Sequence, residues 1–326
     1  MPAIAHSSGF DLVAVCSATL ANAQSAATEF GAAHATDSFE ELLADDAVDV
    51  VVVTTPPRLH RSMALAALEA GKHVICEKPL ALNVSEAEEM AAVAAKSGLI
   101  AVLDHEQRYL PSNRQFHHLV ANGYLGELRY LDVRVCLPLT LNPAFPIAFH
   151  SWRDDVTGGG GLLSGIFSHY IDLMCLSFGP PEEVYGLAST TLTSKPFADG
   201  KPGTGDVTSD DRMSAAGRFA NGALFSMAGS WSVHHGPGLI VEAYGENGTL
   251  VMPDTDRLLG ATAAEPGLTP IESEFPLPDG TEGQMGAFVH LLNDLEAVLS
   301  GDAESGHYAT FDDGVAVQRV IEAIRG

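Results

Sequence analysis

The chain has 326 residues, 46 % of them hydrophobic and 18 % charged, enough for two globular domains with buried cores. Its formal net charge of −25 argues against nucleic acid, whose binding rests on phosphate neutralisation by Lys and Arg. No apolar run is expected to reach the ~18 residues of a membrane span, and the N-terminus lacks the basic and apolar regions of a secretory signal.

Strand-like and helix-like segments alternate through the first hundred residues. Residues 11–16 read as a continuous apolar strand, followed by Ser17, Ala18 and Thr19. Residues 20–30 are Ala-rich and helical, stopped by Gly31. An extended piece, 33–36, precedes Ser38, which caps a short helix 39–44 with Glu41 three residues on. Residues 48–54 carry four successive valines, the pattern of a strand covered on both faces. A helix 59–70, a strand 74–76, a helix 85–96 and a strand 100–103 complete the series. This rhythm predicts an α/β fold with a doubly wound parallel sheet over residues 1–108.

Residues 109–326 read differently. After a helix 113–121, strand-like runs dominate at 128–135, 184–192, 213–219, 223–231, 238–244 and 248–252. Asn221-Gly222 and Asn247-Gly248 mark tight hairpins. The expectation is a mainly antiparallel sheet with helices at 168–178 and 287–300, and with 196–208 as a Gly/Pro-rich loop. Cys16, Cys76, Cys136 and Cys175 are scattered, without a Cys-x-x-Cys pair, and read as small buried hydrophobes in a reducing cytoplasm.

Ligands of doubly wound sheets bind beyond the carboxyl ends of the strands. That rule selects Ser17 to Thr19, Thr54-Thr55-Pro56-Pro57, Glu77-Lys78-Pro79 and the segment from Asp104 to Arg108. An acidic residue after the second strand holds the ribose 2′-hydroxyl of NAD. Ser17 stands there instead and does not repel a 2′-phosphate, a slight lean to NADP over NAD; Ser17 also reads as a cap of the following helix. Lys78 emerges from the apolar Val74-Ile75-Cys76 at the sheet mouth and is a candidate donor to a substrate oxygen, although a lysine after a strand is more often a solvated charge. His169 follows the glycine run 158–161, and Asp172 lies three residues on, at the spacing that shares a helix face. The bland readings are a packed histidine and a first-turn carboxylate favoured by the helix dipole. The 13 histidines form no metal-ligand spacing, and no Gly-x-Ser-x-Gly elbow is present.

In combination, Thr54-Thr-Pro-Pro-Arg-Leu-His60, Ala70-Gly-Lys-His-Val-Ile-Cys-Glu-Lys-Pro79, Trp152-Arg153, the run 158–161 and His169-Tyr-Ile-Asp172 resemble the glucose–fructose oxidoreductase / inositol dehydrogenase / rhizopine-catabolism (Gfo/Idh/MocA) family. The resemblance implies a Rossmann domain, a second α/β domain whose open sheet mediates a homo-oligomer (dimer or tetramer), and NAD(P)-dependent hydride transfer at a carbinol or carbonyl carbon of a sugar, cyclitol or similar polyol. It implies that Thr54, Thr55, Pro56, Pro57, His60, Glu77, Lys78, Trp152 and Arg153 line the dinucleotide site, with Ser17 at the ribose. Lys78 and His169 would be catalytic, with Arg108 and Asp172 as substrate contacts. Two departures stand out. Many members carry an aspartate four residues before the histidine, where this chain has Gly165. The family's opening strand and Gly-x-Gly-x-x-Gly turn, roughly 20–25 residues, are absent ahead of residue 11, so the Rossmann domain reads as lacking its first βα unit. The expected cause of that absence is a misassigned start, with a real loss as the other reading; for function, the alternative to the oxidoreductase is a non-catalytic ligand-binding or regulatory relative of the same fold.

Overall fold

A computed structural model describes residues 2–198 and 200–326. In the N-terminal half, β1 (Ala14–Cys16) pairs in parallel with β2 (His34–Thr36). A separate ladder joins β3 (Val50–Val53), β4 (His73–Glu77) and β5 (Ala101–Asp104), all parallel. The parallel expectation therefore holds within two ladders, β1–β2 and β3–β4–β5. Helices α1 (Leu20–Phe30), α2 (Phe39–Leu43), α3 (His60–Glu69) and α4 (Val84–Ser97) alternate with these strands. Their ends follow local chemistry. Ser38 Oγ accepts from the Glu41 amide and Asn83 Oδ1 from the Glu86 amide. Gly31 and Gly98 close α1 and α4 with positive φ of 78° and 70°. Ser17 does not cap α1; Thr19 is the N-cap and accepts from the Asn22 amide.

After α5 (Pro111–Ala121) comes an eight-stranded sheet in the order β15-β14-β13-β12-β6-β11-β10-β7. Its long strands are β6 (Leu128–Cys136), β7 (Glu183–Ser189), β10 (Arg212–Arg218), β11 (Leu224–Ser230) and β12 (Gly238–Gly245). Shorter strands β13 (Gly248–Met252), β14 (Leu259–Thr262) and β15 (Thr269–Pro270) extend the sheet beyond β12, so that β15 and β7 are its edges. All pairs are antiparallel except β6 with β11. The segment 196–208 departs from the loop expectation: β8 (Ser194–Pro196) and β9 (Thr204–Asp206) form a small antiparallel hairpin.

Alternation decides the faces of the large sheet. Val133, Val135, Met213, Phe225, Met227 and Val241 point inward against α6 (Ser168–Phe178) and α8 (Phe311–Arg325). A second core lies between the parallel strands and α3 and α4, and a third sits under α7 (Gly283–Leu299). The C-terminal segment crosses the expected boundary at residue 108. β16 (Ala309–Thr310) pairs antiparallel with β5, and α8 sends Phe311 and Val315 into the N-terminal core but Val317, Val320, Ile321 and Ile324 into the C-terminal one.

The segment Val156–Phe178, broken at residues 159–161, is long and apolar enough by composition to be weighed as a membrane span, yet 67 % of its most apolar window is buried inside the protein. It is the core helix that carries His169 and Asp172. All four cysteines are free; Cys76 is buried, while Cys16, Cys136 and Cys175 are only partly so.

Candidate active site

Parallel strands end on the same edge, so β3, β4 and β5 deliver Thr54, Glu77 and Asp104 side by side, with Glu77 directly opposite Asp104 in the ladder. Just beyond lies a cleft of about 330 Å³. One wall is Thr54, Thr55, Glu77, Lys78 and Glu106 from the strand ends; the other is Trp152, Arg153, the glycines 159–161 and the start of the core helix with Gly165 and His169. Leu139, Ile147, Trp231 and Gln284 complete it.

Lys78 follows the last residue of β4, and its peptide bond to Pro79 is cis. The ammonium donates to the Gly165 carbonyl at 2.5 Å, reaching across the cleft to the helix of His169. Gly165 is there for a steric reason. A Cβ at this position would lie 2.9 Å from Trp231 Cζ3 and 3.4 Å from Cη2. The indole thus fills the space of a side chain at 165, and Trp231 is 2 % exposed. Its Nε1 is buried without a protein partner among the described residues, an orphaned donor in the cleft wall that suits an oxygen-rich ligand. Thr55 Oγ1 is orphaned in the same way.

His169 is buried. Its Nδ1 lies 3.4 Å from His105 Nδ1 and 4.0 Å from Glu106 Oε2, with the two imidazoles edge to face. Burial, then the charges of Lys78 and His105, hold the His169 pKa well below the usual range, so the ring is a neutral base. Burial likewise takes His105 down to about 4. Glu106 moves the other way, to about 7, because burial and Glu77 oppose its charge more than Lys78 supports it. Asp104, buried beside Glu106 and Glu77, is pushed well above the ordinary carboxylate range.

Thr54, Thr55, Glu77, Lys78, Pro79, Trp152, Arg153 and His169 meet at the cleft, whereas Ser17, Pro56, Pro57, His60, Arg108 and Asp172 lie off it. Arg108 and Asp172 are paired with each other, Nε and Nη2 donating to the two carboxylate oxygens at 2.7 and 2.6 Å in a buried fork. Arg108 also lies 3.5 Å from Asp313. Asp172 therefore does not touch His169, despite the i, i+3 spacing. His60 is fully buried, with Nδ1 2.9 Å from the Pro79 carbonyl and Nε2 2.7 Å from that of Thr55. It ties two cleft-lining loops together from behind. Pro57 packs against Gly159, where a Cβ would lie 2.6 Å from Pro57 Cβ and where φ is +87°. Pro56 precedes the same turn, and Ser17 sits at the end of β1 with its amide on the Thr36 carbonyl. Trp152 carries Arg153 over its ring at 4.6 Å. Sequence reasoning reached Glu106 only as part of the segment from Asp104 to Arg108, with no role of its own, and missed Trp231, to which nothing local points.

The residues present fit the nicotinamide end of a dinucleotide: an orphaned threonine hydroxyl, a lysine and a neutral histidine surround a cleft whose floor is bare glycine backbone. No strand-linked Gly-x-Gly-x-x-Gly turn occurs in the sequence to hold a pyrophosphate.

Residues 1–105 match a family described as oxidoreductases with an NAD-binding Rossmann fold (GFO/IDH/MocA), and residues 113–251 match the GFO/IDH/MocA C-terminal domain. Among curated relatives, 1,5-anhydro-D-fructose reductase of Ensifer adhaerens is 33 % identical over 201 residues, covering 61 % of this chain and 59 % of that protein. D-glucoside 3-dehydrogenase of Escherichia coli K12 is 30 % identical over 230 residues, covering 69 % and 64 %. The chain thus spans under two thirds of the length of both. The structure of levoglucosan dehydrogenase in complex with NADH and levoglucosan superposes with a TM-score of 0.85 at 25 % identity, over 96 % of this chain and 86 % of that one.

Proposed function

We propose that this chain, which belongs to the GFO/IDH/MocA family of oxidoreductases with an NAD-binding Rossmann fold, oxidises or reduces a secondary alcohol or ketone of a sugar, anhydro-sugar or cyclitol. The observation that carries the reading is the approach of Lys78 and His169 from two different elements to one cleft, where Lys78 Nζ reaches the backbone of the His169 helix. When bound, the nicotinamide supplies the hydride acceptor or donor. Thr54, Thr55, Glu77, Trp152 and Arg153 would hold that end of the cofactor. Lys78 donates a hydrogen bond to the reacting oxygen, exchanging the Gly165 carbonyl for the substrate, and stabilises the charge that develops there. His169, kept neutral by its surroundings, takes the hydroxyl proton in oxidation and returns it in reduction. The orphaned Trp231 Nε1 donates to a further substrate hydroxyl.

The cofactor reading is NAD(H). Ser17 tolerates a 2′-phosphate, but the Cys16 pKa is raised by burial and then by Asp37, Glu40 and Glu41, and the negative field of those carboxylates opposes one. For assembly we propose a homo-oligomer through the outer face of the large sheet. There Tyr185 and Leu187 are 70 % and 80 % exposed, and Leu224, Tyr130 and Tyr244 surround a polar centre of Asp132, Arg134 and Glu242. The free thiols suit a reducing, cytoplasmic setting.

A panel of glycosides, anhydro-sugars and cyclitols, assayed by NADH absorbance with NAD or NADH, tests the reading. Turnover of at least one of them, and none of 2-hydroxy acids, is the expected result. Tight NADH binding without turnover of any member would instead favour the non-catalytic relative, for which the absence of a carboxylate at Gly165 is the motive.

A further inference from the structure

A buried histidine that accepts a proton needs an anion near it, and position 165 cannot supply one. The Trp231 ring stands 2.9 Å from where a Cβ at 165 would begin. The helix of His169 offers Asp172, but that carboxylate is spent on Arg108. Glu106, on the 3-10 turn after β5, lines the same cleft as His169 and brings Oε2 to 4.0 Å from His169 Nδ1. We propose that Glu106 is the carboxylate partner of His169, a positioning residue that moves the anion of this site from the histidine's own helix to the turn after β5. The proposal rests on the reading of His169 as the group that handles the substrate proton.

The chemistry follows from the balance of charge. In oxidation the substrate O–H bond breaks, its electron pair forms the carbonyl, and the proton bonds to the His169 ring. The ring then carries a positive charge in a place where burial, Lys78 and His105 all oppose it. An ionised Glu106 offsets that charge without itself touching the substrate. The groups facing Glu106 are Lys78 and Glu77 from the end of β4, Asp104 and His105 from its own segment, and His169 and Tyr170 from α6. Lys78 supports the anion while Glu77 and burial oppose it, which places its titration at about 7. His169 itself stays neutral over that range, so a response of its ring between pH 6 and pH 8 reports Glu106.

The test uses the isosteric E106Q and the shortened E106D in the cofactor-free protein. Ring 15N shifts of His169 are recorded at pH 6 and pH 8. They are expected to move in the wild type, not to move in E106Q, and to move again in E106D. In steady-state kinetics, E106Q is expected to lower kcat about 10–100-fold with KM for NADH unchanged and to remove the acid limb near pH 7, with E106D recovering part of both. His169 shifts that do not respond in the wild type, or that respond equally in E106Q, overturn the proposal, as does a wild-type kcat and pH profile in E106Q. The ring shifts need no substrate. H169A retaining wild-type turnover would therefore refute the proton-handling role of His169 separately from its pairing with Glu106.

Discussion

The contact between Gly165 and Trp231 makes a signed prediction. Replacing Gly165 by Ala adds a Cβ 2.9 Å from Trp231 Cζ3, about half an ångström inside ordinary contact. The indole is 2 % exposed and has Lys195 Nζ 6.0 Å over it, itself bound to buried Asp154 at 2.5 Å. The ring is thus backed on the side away from the cleft, and overpacking of this kind costs about 1–3 kcal/mol. Against it stands the gain of about 0.5–1 kcal/mol for Ala over Gly within a helix, since Gly165 lies in the π turn Leu163–Phe167. G165A should lose about 0.5–2 kcal/mol. Cζ3 and Cη2 belong to the benzo ring that Phe lacks, so in a W231F background G165A should gain about 0.5–1 kcal/mol instead. The double-mutant cycle, read as urea midpoints by far-UV circular dichroism at constant m, should give a coupling of about 1–3 kcal/mol. Additivity within about 0.3 kcal/mol would refute the steric account of Gly165 and, with it, the reason for seeking the site's carboxylate elsewhere.

Three further predictions concern charge. R108L strands Asp172 as a buried anion and should cost about 3–5 kcal/mol, measured by urea unfolding, while R108L/D172L should cost less than R108L alone. His105 and His307 both have folded pKa values of about 4, below the ordinary 6.5. The unfolded chain therefore binds more protons between those values, and stability is complete above pH 6.5 and falls as pH drops toward 4, by about 3 kcal/mol per histidine. Glu106, raised to about 7, and Asp104, pushed well above the ordinary carboxylate range, have the opposite slope, while His169, held well below the usual range, adds to the slope of the two histidines. Urea midpoints should accordingly decline on acidification, and less steeply in H307Q; a midpoint that is flat with pH would count against both assignments. By fluorescence quenching of Trp152 and Trp231, NADH should bind about 5-fold or more tighter than NADPH, and E40Q/E41Q should narrow the gap; tighter NADPH binding would reverse the cofactor reading.

What the sequence made legible follows from how locally each feature is encoded. The segment from Val74 to Pro79 combines a buried strand with a lysine at its end, and parallel strands end on one edge, so Glu77 and Lys78 at the cleft follow from pattern alone. The inward faces of β6, β10, β11 and β12 are equally local, because alternation is a two-residue property. Features that depend on distant chain were hidden. Trp231 reaches Gly165 from 66 positions away in sequence, counting from 165 to 231. Asp172 has the spacing to meet His169, yet Arg108 from another segment captures it in a bidentate fork, a stronger contact than a helix-face neighbour provides. The β8–β9 hairpin lies among glycines and prolines with mostly exposed side chains, so it lacks the hydrophobic signal of a strand. β16 is two residues long and owes its place to the docking of α8 on the N-terminal core.

Hydride transfer in a single turnover tests most directly whether Lys78 and His169 carry the chemistry. With a substrate found in the panel and saturating NAD, the wild type, K78A and H169A are followed by NADH absorbance in stopped flow, and NADH binding to each is measured separately. The account predicts that NADH binding changes less than about 5-fold, while the rate of the chemical step falls at least about 100-fold in each variant. A K78A or H169A enzyme that transfers hydride at the wild-type rate would contradict it.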